Sequence, residues 1–581
     1  MNIHDLVSEL IVNTKGTASG SFLSITRDSS LGAFLPELVI CLTIVLLLTV
    51  RLFDSLKKLD VFWVALVGSV AGFVLANPLL LLQSESISRM EIFTGMLVYD
   101  SFTIYMRLVL LGFAMLFVIF TKLSGIPDRE DGADIYSLVL GATLGMCLMA
   151  TANHLLMVFM AIEMASVPSY VLAGMLKGRR QGSEAALKYA VYGAGAAGIM
   201  LYGISLVAGI VGTVHLPTLA SQLAVQDLGG SESMVLALAG LMIVTGLAFK
   251  LSAVPFHFWC PDVFEGACAE VNAFLSIASK AAALALLVRL AIGFGTIVPT
   301  GIEPGDAMAA QQEASLPASS GLFAVAEELP APTTEPGAVA NDNLADIRSF
   351  IGKLIALLAV ITCTFGNLAA YGQTNIKRLL AYSTIAHAGY MMMAIPPIMA
   401  LAGSSPDGAE AAVAALSLYI FTYLFMNLGV FAVVAFLRNQ SGSEEIADYA
   451  GLIKQCPGLT ICLALMMFSL VGLPPLAGFI GKFAIFASLA DGYTHAAGTA
   501  DYLLWLLVIG GINTAISLFY YLRVVKTTIL DEAPSDREPI SLPIQSGPGT
   551  YVVLLTIPTV ILIVGWNWLY DFTRAAAGSL F

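Results

Sequence analysis

The sequence predicts an all-α, polytopic membrane protein of about fourteen transmembrane helices. Three observations carry this. Of the 581 residues, 58% are hydrophobic and only 12% charged. The mean hydropathy is +0.86. Apolar stretches of about 20 residues, the length that crosses a bilayer, recur from Leu31 onward. A soluble domain has no use for so many uninterrupted apolar runs, so the lipid bilayer is the expected surrounding. The net charge of −13 comes without a basic patch, and no nucleic acid partner is expected. Seven cysteines are scattered without a CxxC or a Cys/His cluster, so the sequence predicts neither a disulfide framework nor a metal or iron–sulfur site.

Residues 1–30 carry Asp5 and Glu9, lack the layout of a removable signal peptide and read as an N-terminal segment. One bundle follows over 31–571. Its spans cover roughly 31–53, 61–82, 101–123, 134–152, 154–176, 185–212, 234–255, 268–295, 350–370, 379–402, 411–437, 459–489, 502–525 and 550–571. Residues 572–581 form a C-terminal tail. Several links are short, which makes consecutive helices antiparallel neighbours. Basic residues gather in the odd-numbered links, among them Arg51, Lys122, Arg180, Lys377, Arg378, Arg438, Arg523 and Lys526; the even-numbered links hold Arg89, Arg348 and Lys353. Lys and Arg are retained on the cytoplasmic side. The expected location is therefore a bacterial inner membrane, with both termini on the periplasmic side. Residues 296–349, rich in Ala, Pro, Gly and Glu, are expected to be a flexible external loop.

Two spans are expected to be discontinuous. In the seventh, Pro255 follows Lys250 by five residues; in the twelfth, Gly472, Pro474, Pro475, Gly478 and Gly481 crowd before Lys482. Proline removes a backbone donor and clashes with the preceding turn. Irregular backbone at membrane depth persists only where protein or water covers it. The two breaks lie five spans apart and so in opposite orientation. That predicts inverted repeats over approximately 134–295 and 350–525, a design of ion-coupled transporters.

The intramembrane charges are the main indication of function. A charged side chain at the bilayer centre costs at least ~2.5 kcal/mol and usually faces a protein interior or a water-filled path that moves ions or protons. Glu163, Lys250, Lys280 and Lys482 are such residues. Glu163 is expected to pair with Lys250 from a facing helix, because an unpaired buried carboxylate would simply stay neutral. Lysine suits a switch whose charge depends on its neighbours. Lys280, apolar on every side, is the expected central relay, and Lys482 the group that hands protons toward the far side. His387 is a candidate proton carrier that could equally be a helix contact. Lys188, one turn into the sixth span, fits snorkelling as well as function. His154, His215, His257 and His495 fall at span ends or in loops and read as surface groups, while Arg107, Arg289 and Glu37 receive no chemistry.

The stretches KLSAVPFHFWCPDVFEG, SEAALKYAVYGA, NIKRLLAYSTIAHAGYMM and GLPPLAGFIGKFAIF resemble the signature segments of the antiporter-like membrane subunits of respiratory complex I, shared with multisubunit cation/proton antiporters. The resemblance covers roughly residues 90–530. A lysine at position 280, where a histidine is usual, favours the NADH:quinone oxidoreductase side of the family. So does the absence of a long lateral helix after the fourteenth span. The resemblance implies a proton-translocating unit in which Glu163, Lys250, Lys280 and Lys482 are the relay. It also implies partner subunits of the complex I membrane arm, with NADH, FMN, iron–sulfur clusters and quinone bound by partners and no cofactor in this chain. The alternative is a subunit of a multisubunit cation/proton antiporter; a scaffold that no longer conducts is a third reading. One departure stands out: Cys268, Ala269 and Glu270 replace the usual Pro-Thr-Pro run.

Overall fold

The computed structural model describes residues 30–53, 59–76, 89–126, 131–176, 178, 180–226, 229–297, 336–496, 500–534 and 540–581; side chains in the helix that begins at Pro336 are described from Leu344. The expected N-terminal segment 1–30 therefore lies outside the described residues, apart from Ser30. So does most of the expected loop at 296–349.

After a single turn at Ser30–Ala33, the chain forms α1 (Leu35–Leu52) and α2 (Val61–Leu75), then a hairpin of β1 (Met90–Ile92) and β2 (Leu97–Tyr99). Next come α3 (Ser101–Ser124), α4 (Gly132–Thr151), α5 (Leu155–Ala173), α6 (Arg180–Val211) and α7 (Leu216–Val225). The first broken region contains α8 (Gly230–Leu251), α9 (Trp259–Gly266), α10 (Ala269–Ser276) and α11 (Ala278–Gly295). The second half holds α12 (Pro336–Ala370), α13 (Ile376–Met392), α14 (Ile395–Leu401), α15 (Pro406–Ser441), α16 (Pro457–Val471), α17 (Ala477–His495) and α18 (Tyr502–Ile529). It ends with α19 (Gly547–Ile561) and α20 (Trp566–Ala577).

Helix therefore occupies every one of the expected spans. Among the described residues, eleven helices are long and apolar enough to cross a membrane, or twelve if the bent pair α19 and α20 is one span. Val61–Leu75 and Pro457–Val471 are apolar but shorter.

Several expectations need correction. The all-α prediction misses the hairpin, whose register pairs Met90 with Tyr99 and Ile92 with Leu97; three residues per strand carry no detectable alternation. The amphipathic helix α7 lies where a plain link was expected. The helix that includes the ninth span begins at Pro336, inside the stretch assigned to the external loop. The eighth span is interrupted at Ile277, where no proline or glycine marks the site. The last span bends by 89° before α20, which runs into the residues read as a tail.

Local chemistry explains the boundaries. The Asp100 side chain accepts from Thr103 N at 2.8 Å and caps α3, which ends at Gly125 with φ 77°. His154 caps α5 by accepting from Leu156 N at 3.2 Å, and the Asn375 side chain caps α13 by accepting from Lys377 N at 2.9 Å. The last two cap residues also form antiparallel bridges, His154 with His215 and Asn375 with Glu445.

The centre of the bundle is the eighth span, Ala269–Gly295, buried along its whole apolar window and packed chiefly on α4 and α15. By contrast, α18 is buried over 28% of its window. Close packing relies on small residues. A Cβ on Gly145 of α4 would fall 2.6 Å from the Ala165 nitrogen of α5, and one on Gly389 of α13 would fall 2.6 Å from the Cys363 nitrogen of α12.

Three residues given no chemistry prove to be structural. The Arg289 guanidinium, 5% exposed, donates to both Asp100 carboxylate oxygens at 2.5 and 2.7 Å and to Ala150 O at 3.1 Å. Arg107 donates to Glu37 at 2.6 Å and to Ala33 O at 3.0 Å. Both pairs are buried. They keep charge inside protein and away from lipid.

Candidate functional site

The first break creates the site. Helix α8 stops at Leu251, and Ser252 adopts φ 56°, a left-handed cap. The peptide Val254–Pro255 that follows is cis. The last carbonyls of a helix have no partner within it, and here they point into the bundle. Lys280 supplies what they lack: its Nζ donates to Leu251 O at 2.6 Å and to Ser252 Oγ at 2.9 Å. The Trp259 indole N–H donates to Phe249 O at 3.0 Å. Thr362 Oγ1 accepts from Val254 N at 3.0 Å.

The second break repeats the arrangement. Helix α16 stops at Val471, Gly472 takes φ 89°, and Pro474–Pro475 is cis. Lys482, on the following half-helix, donates to Val471 O at 2.9 Å, and its ammonium lies 4.3 Å from the centre of the Tyr390 ring. Both lysines therefore rest on the carbonyl of the last helical residue before a break, Lys280 from a neighbouring span and Lys482 from its own.

Lys250, in the last turn of α8, is buried and donates to Ser166 Oγ at 3.0 Å. The expected contact with Glu163 is not closed. The carboxylate is half-buried one turn before Ser166 on α5, within coulombic range of Lys250, but the hydroxyl stands in the direct position. A serine one turn further along the same helix face reaches the lysine first.

His387 lies on α13, one turn before Tyr390. Its Nδ1 is 2.7 Å from Tyr419 Oη and its Nε2 3.0 Å from Tyr521 Oη. Tyr521 reaches Ser383 Oγ at 2.5 Å. A neutral imidazole offers one donor and one acceptor, and both are used here by hydroxyls that can do either. Between this cluster and Lys280 lie Ser276, Asn427 and Tyr423: Asn427 Nδ2 donates to Ser276 Oγ at 2.7 Å and to Tyr423 Oη at 3.0 Å, and Tyr423 Oη donates to Thr384 Oγ1 at 3.4 Å.

Lys188 sits apart. Its Nζ bridges Asp262 at 2.8 Å and Glu184 at 2.9 Å and is partly exposed. Arg378 reaches the same Asp262 at 3.4 Å and Glu265 at 2.5 Å. Lys377, buried, donates to Glu265 O at 2.9 Å, to Ala267 O at 2.8 Å and to Glu444 at 2.8 Å.

The structure thus buries Lys250, Lys280, His387 and Lys482 in the bundle, each with hydrogen-bond partners of its own, and leaves Lys188 partly exposed on Asp262 and Glu184. The sequence reading did not name the hydroxyl and amide groups in between. Serine, asparagine and tyrosine within an apolar span were the available signal, and they are too common in membrane helices to stand out alone.

Residues 152–298 and 339–511 match the transmembrane family described as NADH:quinone oxidoreductase/Mrp antiporter. A NADH-quinone oxidoreductase subunit N from an Anaeromyxobacter species is 34% identical over 565 residues, covering 96% of this chain and 98% of the relative. Respiratory complex I from Thermus thermophilus contains a chain with TM-score 0.63 and 27% identity, covering 91% of this chain and 98% of that one. A chain of the Mrp complex from a Dietzia species has TM-score 0.72 at 17% identity, covering 95% and 97%, a likeness of fold. With a family match and a full-length relative in agreement, the chain belongs to the NADH:quinone oxidoreductase/Mrp antiporter transmembrane family, on its subunit N branch.

Proposed function

We propose that this chain is a proton-translocating subunit in the membrane arm of a proton-pumping NADH:quinone oxidoreductase, and that Glu163, Lys250, Lys280, His387 and Lys482 carry the protons, with Lys188 at the rim. One observation carries the assignment. Three lysines, each under 5% exposed, are held in the bundle interior, and two of them rest on the carbonyls that end interrupted helices. A buried lysine with so few fixed partners can give up its proton and be recharged, which a tight ion pair such as Arg289–Asp100 cannot do. These lysines sit beside breaks that can open or close a hydrated gap.

The reading extends to the architecture. Fourteen spans, two of them discontinuous, form inverted repeats over approximately 134–295 and 350–525. Its supports are the paired caps His154 and Asn375, the paired bridges to His215 and Glu445, and the two left-handed caps Ser252 and Gly472. The basic residues of the odd links support placing both termini on the periplasmic side of a bacterial inner membrane. NADH, FMN, iron–sulfur clusters and quinone belong to partner subunits in this reading, and the partners are other membrane-arm subunits. The full-length subunit N relative, at 34% identity, favours it over the cation/proton antiporter.

The test is Lys280→Met in the assembled complex, with quinone reduction and proton pumping measured separately in inverted membrane vesicles. Pumping and coupled turnover fall while the complex assembles. Unaltered pumping refutes the assignment of Lys280 as central relay.

A further inference from the structure

Glu270 is a buried carboxylate that the relay above does not use. It stands where relatives of this family were expected to carry proline, in the first turn of α10, and is 1% exposed. Neither of its carboxylate oxygens has a hydrogen-bond partner, and its nearest cation is Arg438 Nη2 at 3.8 Å. Arg438, at the end of α15, lines a polar cavity of about 480 Å³ together with Asn375, Asn439, Ser443, Glu444 and Leu176. Lys377 holds one oxygen of Glu444 at 2.8 Å while the other has no partner, and the thiol of Cys268, two residues before Glu270, lies at 3.7 Å from Met175 Sδ and within reach of the Glu270 carboxylate.

From Glu270 the seam between α10 and α15 leads inward. The next polar contacts along α10 are Asn272 Nδ2 to Phe264 O at 2.7 Å and, about 9 Å of helix rise beyond Glu270, Asn427 Nδ2 to Ser276 Oγ at 2.7 Å. Along this stretch the Oδ1 atoms of Asn272 and Asn427, both fully buried, also have no partner. Buried acceptors without protein donors are sites for ordered water. Two to three waters span such a distance at roughly 2.8 Å per hydrogen bond. Beyond Asn427 lie Tyr423, Thr384 and then the His387 cluster beside Lys482.

We propose that Glu270 is a proton-uptake residue that loads the His387–Lys482 half of the relay from the Arg438 cavity. It takes a proton from water in the cavity and passes one inward along the α10–α15 seam, so that its own charge is restored at each passage. Arg438, which lines the cavity, holds the carboxylate behind it between transfers. The inference rests on the reading of the buried lysines as proton carriers, and adds a loading point that does not pass through Glu163 or Lys250.

The experiment compares Glu270→Gln, Glu270→Asp and Lys280→Met in the assembled complex within inverted membrane vesicles, following NADH-driven pumping across a range of pH. Glu270→Gln keeps the volume and removes the proton-carrying group; it lowers pumping by roughly tenfold with the complex still assembled. Glu270→Asp restores most of the rate with a displaced pH profile. Unaltered pumping in Glu270→Gln, or failure of Glu270→Asp to restore it, overturns the proposal. If Glu270→Gln does not assemble, Glu270→Asp decides alone: a displaced pH profile supports uptake at this residue, and an unchanged one overturns it. Normal pumping in Lys280→Met would sink the lysine relay itself. Loss there with an unaffected Glu270→Gln sinks only the role of Glu270.

Discussion

The Lys280 ammonium lies 2.6 Å from the carbonyl oxygen of Leu251, the residue at which the seventh span ceases to be helical. The break and the lysine explain each other. A carbonyl left over at a helix end is costly in an apolar interior unless something donates to it, and a buried ammonium needs acceptors that do not neutralise it permanently. A neutral carbonyl and a hydroxyl meet that need where a carboxylate would not.

Replacing Ser252 with Ala removes one of the two acceptors of Lys280 and leaves the Leu251 carbonyl in place. Hydrogen bonds to charged groups contribute about 1.5–3 kcal/mol, a factor of roughly ten or more in an equilibrium. Ser252→Ala is expected to slow pumping in inverted vesicles by several-fold without loss of assembly. Normal pumping would mean that the hydroxyl takes no part.

The pair Arg289–Asp100 belongs to a different class. It is bidentate and buried, and Arg289 also donates to Thr103 Oγ1 at 3.0 Å. Asp100→Asn leaves a buried guanidinium without its counter-charge, at a cost of about 3–5 kcal/mol. The expected result is a chain depleted from the assembled complex on native gels, partly recovered in the double variant Asp100→Asn with Arg289→Gln. Equal amounts of complex in the single variant and the unaltered protein would contradict this.

Gly389→Ala should loosen the contact between α12 and α13, because its Cβ would meet the Cys363 backbone at 2.6 Å. Backbone cannot swing aside as a side chain does, and overpacking of this kind costs about 1–3 kcal/mol. Gly198→Ala, where nothing lies within 4 Å, is the matched control and is expected to be neutral or slightly stabilising. Thermal denaturation in detergent compares the two; equal midpoints would refute the close-approach argument.

At the opposite end from the basic mouth, Glu91 of the hairpin joins a cluster with Asn153, His215 and Arg89. Burial alone would raise the Glu91 carboxyl, but the His215 hydrogen bond and charge, with Asn153 and Arg89, hold it below its ordinary value. A depressed carboxyl contributes stability that is present above its unfolded value of about 4.3 and is lost as pH falls through the lower folded value. The protection of the hairpin amides against hydrogen exchange, taken relative to the intrinsic rate at each pH, is expected to fall on acidification below about pH 4 in the unaltered protein and to lose that dependence in Glu91→Gln. The same acid response in both would exclude Glu91 as its source.

Much of this was legible in the sequence, and the reason is the bilayer. Long apolar runs and the prolines near Lys250 and Lys482 can be read locally, because lipid leaves a chain few choices of backbone. The burial of Lys280 and His387 followed from the same logic. What escaped was tertiary: that Lys250 would donate to Ser166 and not to Glu163, that Arg289 would find Asp100 across 189 positions of sequence, and that the eighth span would break at Ile277 without a glycine or proline. Each depends on which faces meet, and apolar spans carry little periodicity to announce their faces. The hairpin and α7 were missed because short elements are outweighed by the spans beside them.

The right-angle turn between α19 and α20 has a mechanical consequence. With Trp568 exposed on the transverse helix, and indole rings favouring the level of the lipid headgroups, the final span cannot ride up or down without dragging that helix out of its preferred depth. Swelling or thinning of the surrounding lipid is therefore expected to strain first residues 562–565, where the two helices meet.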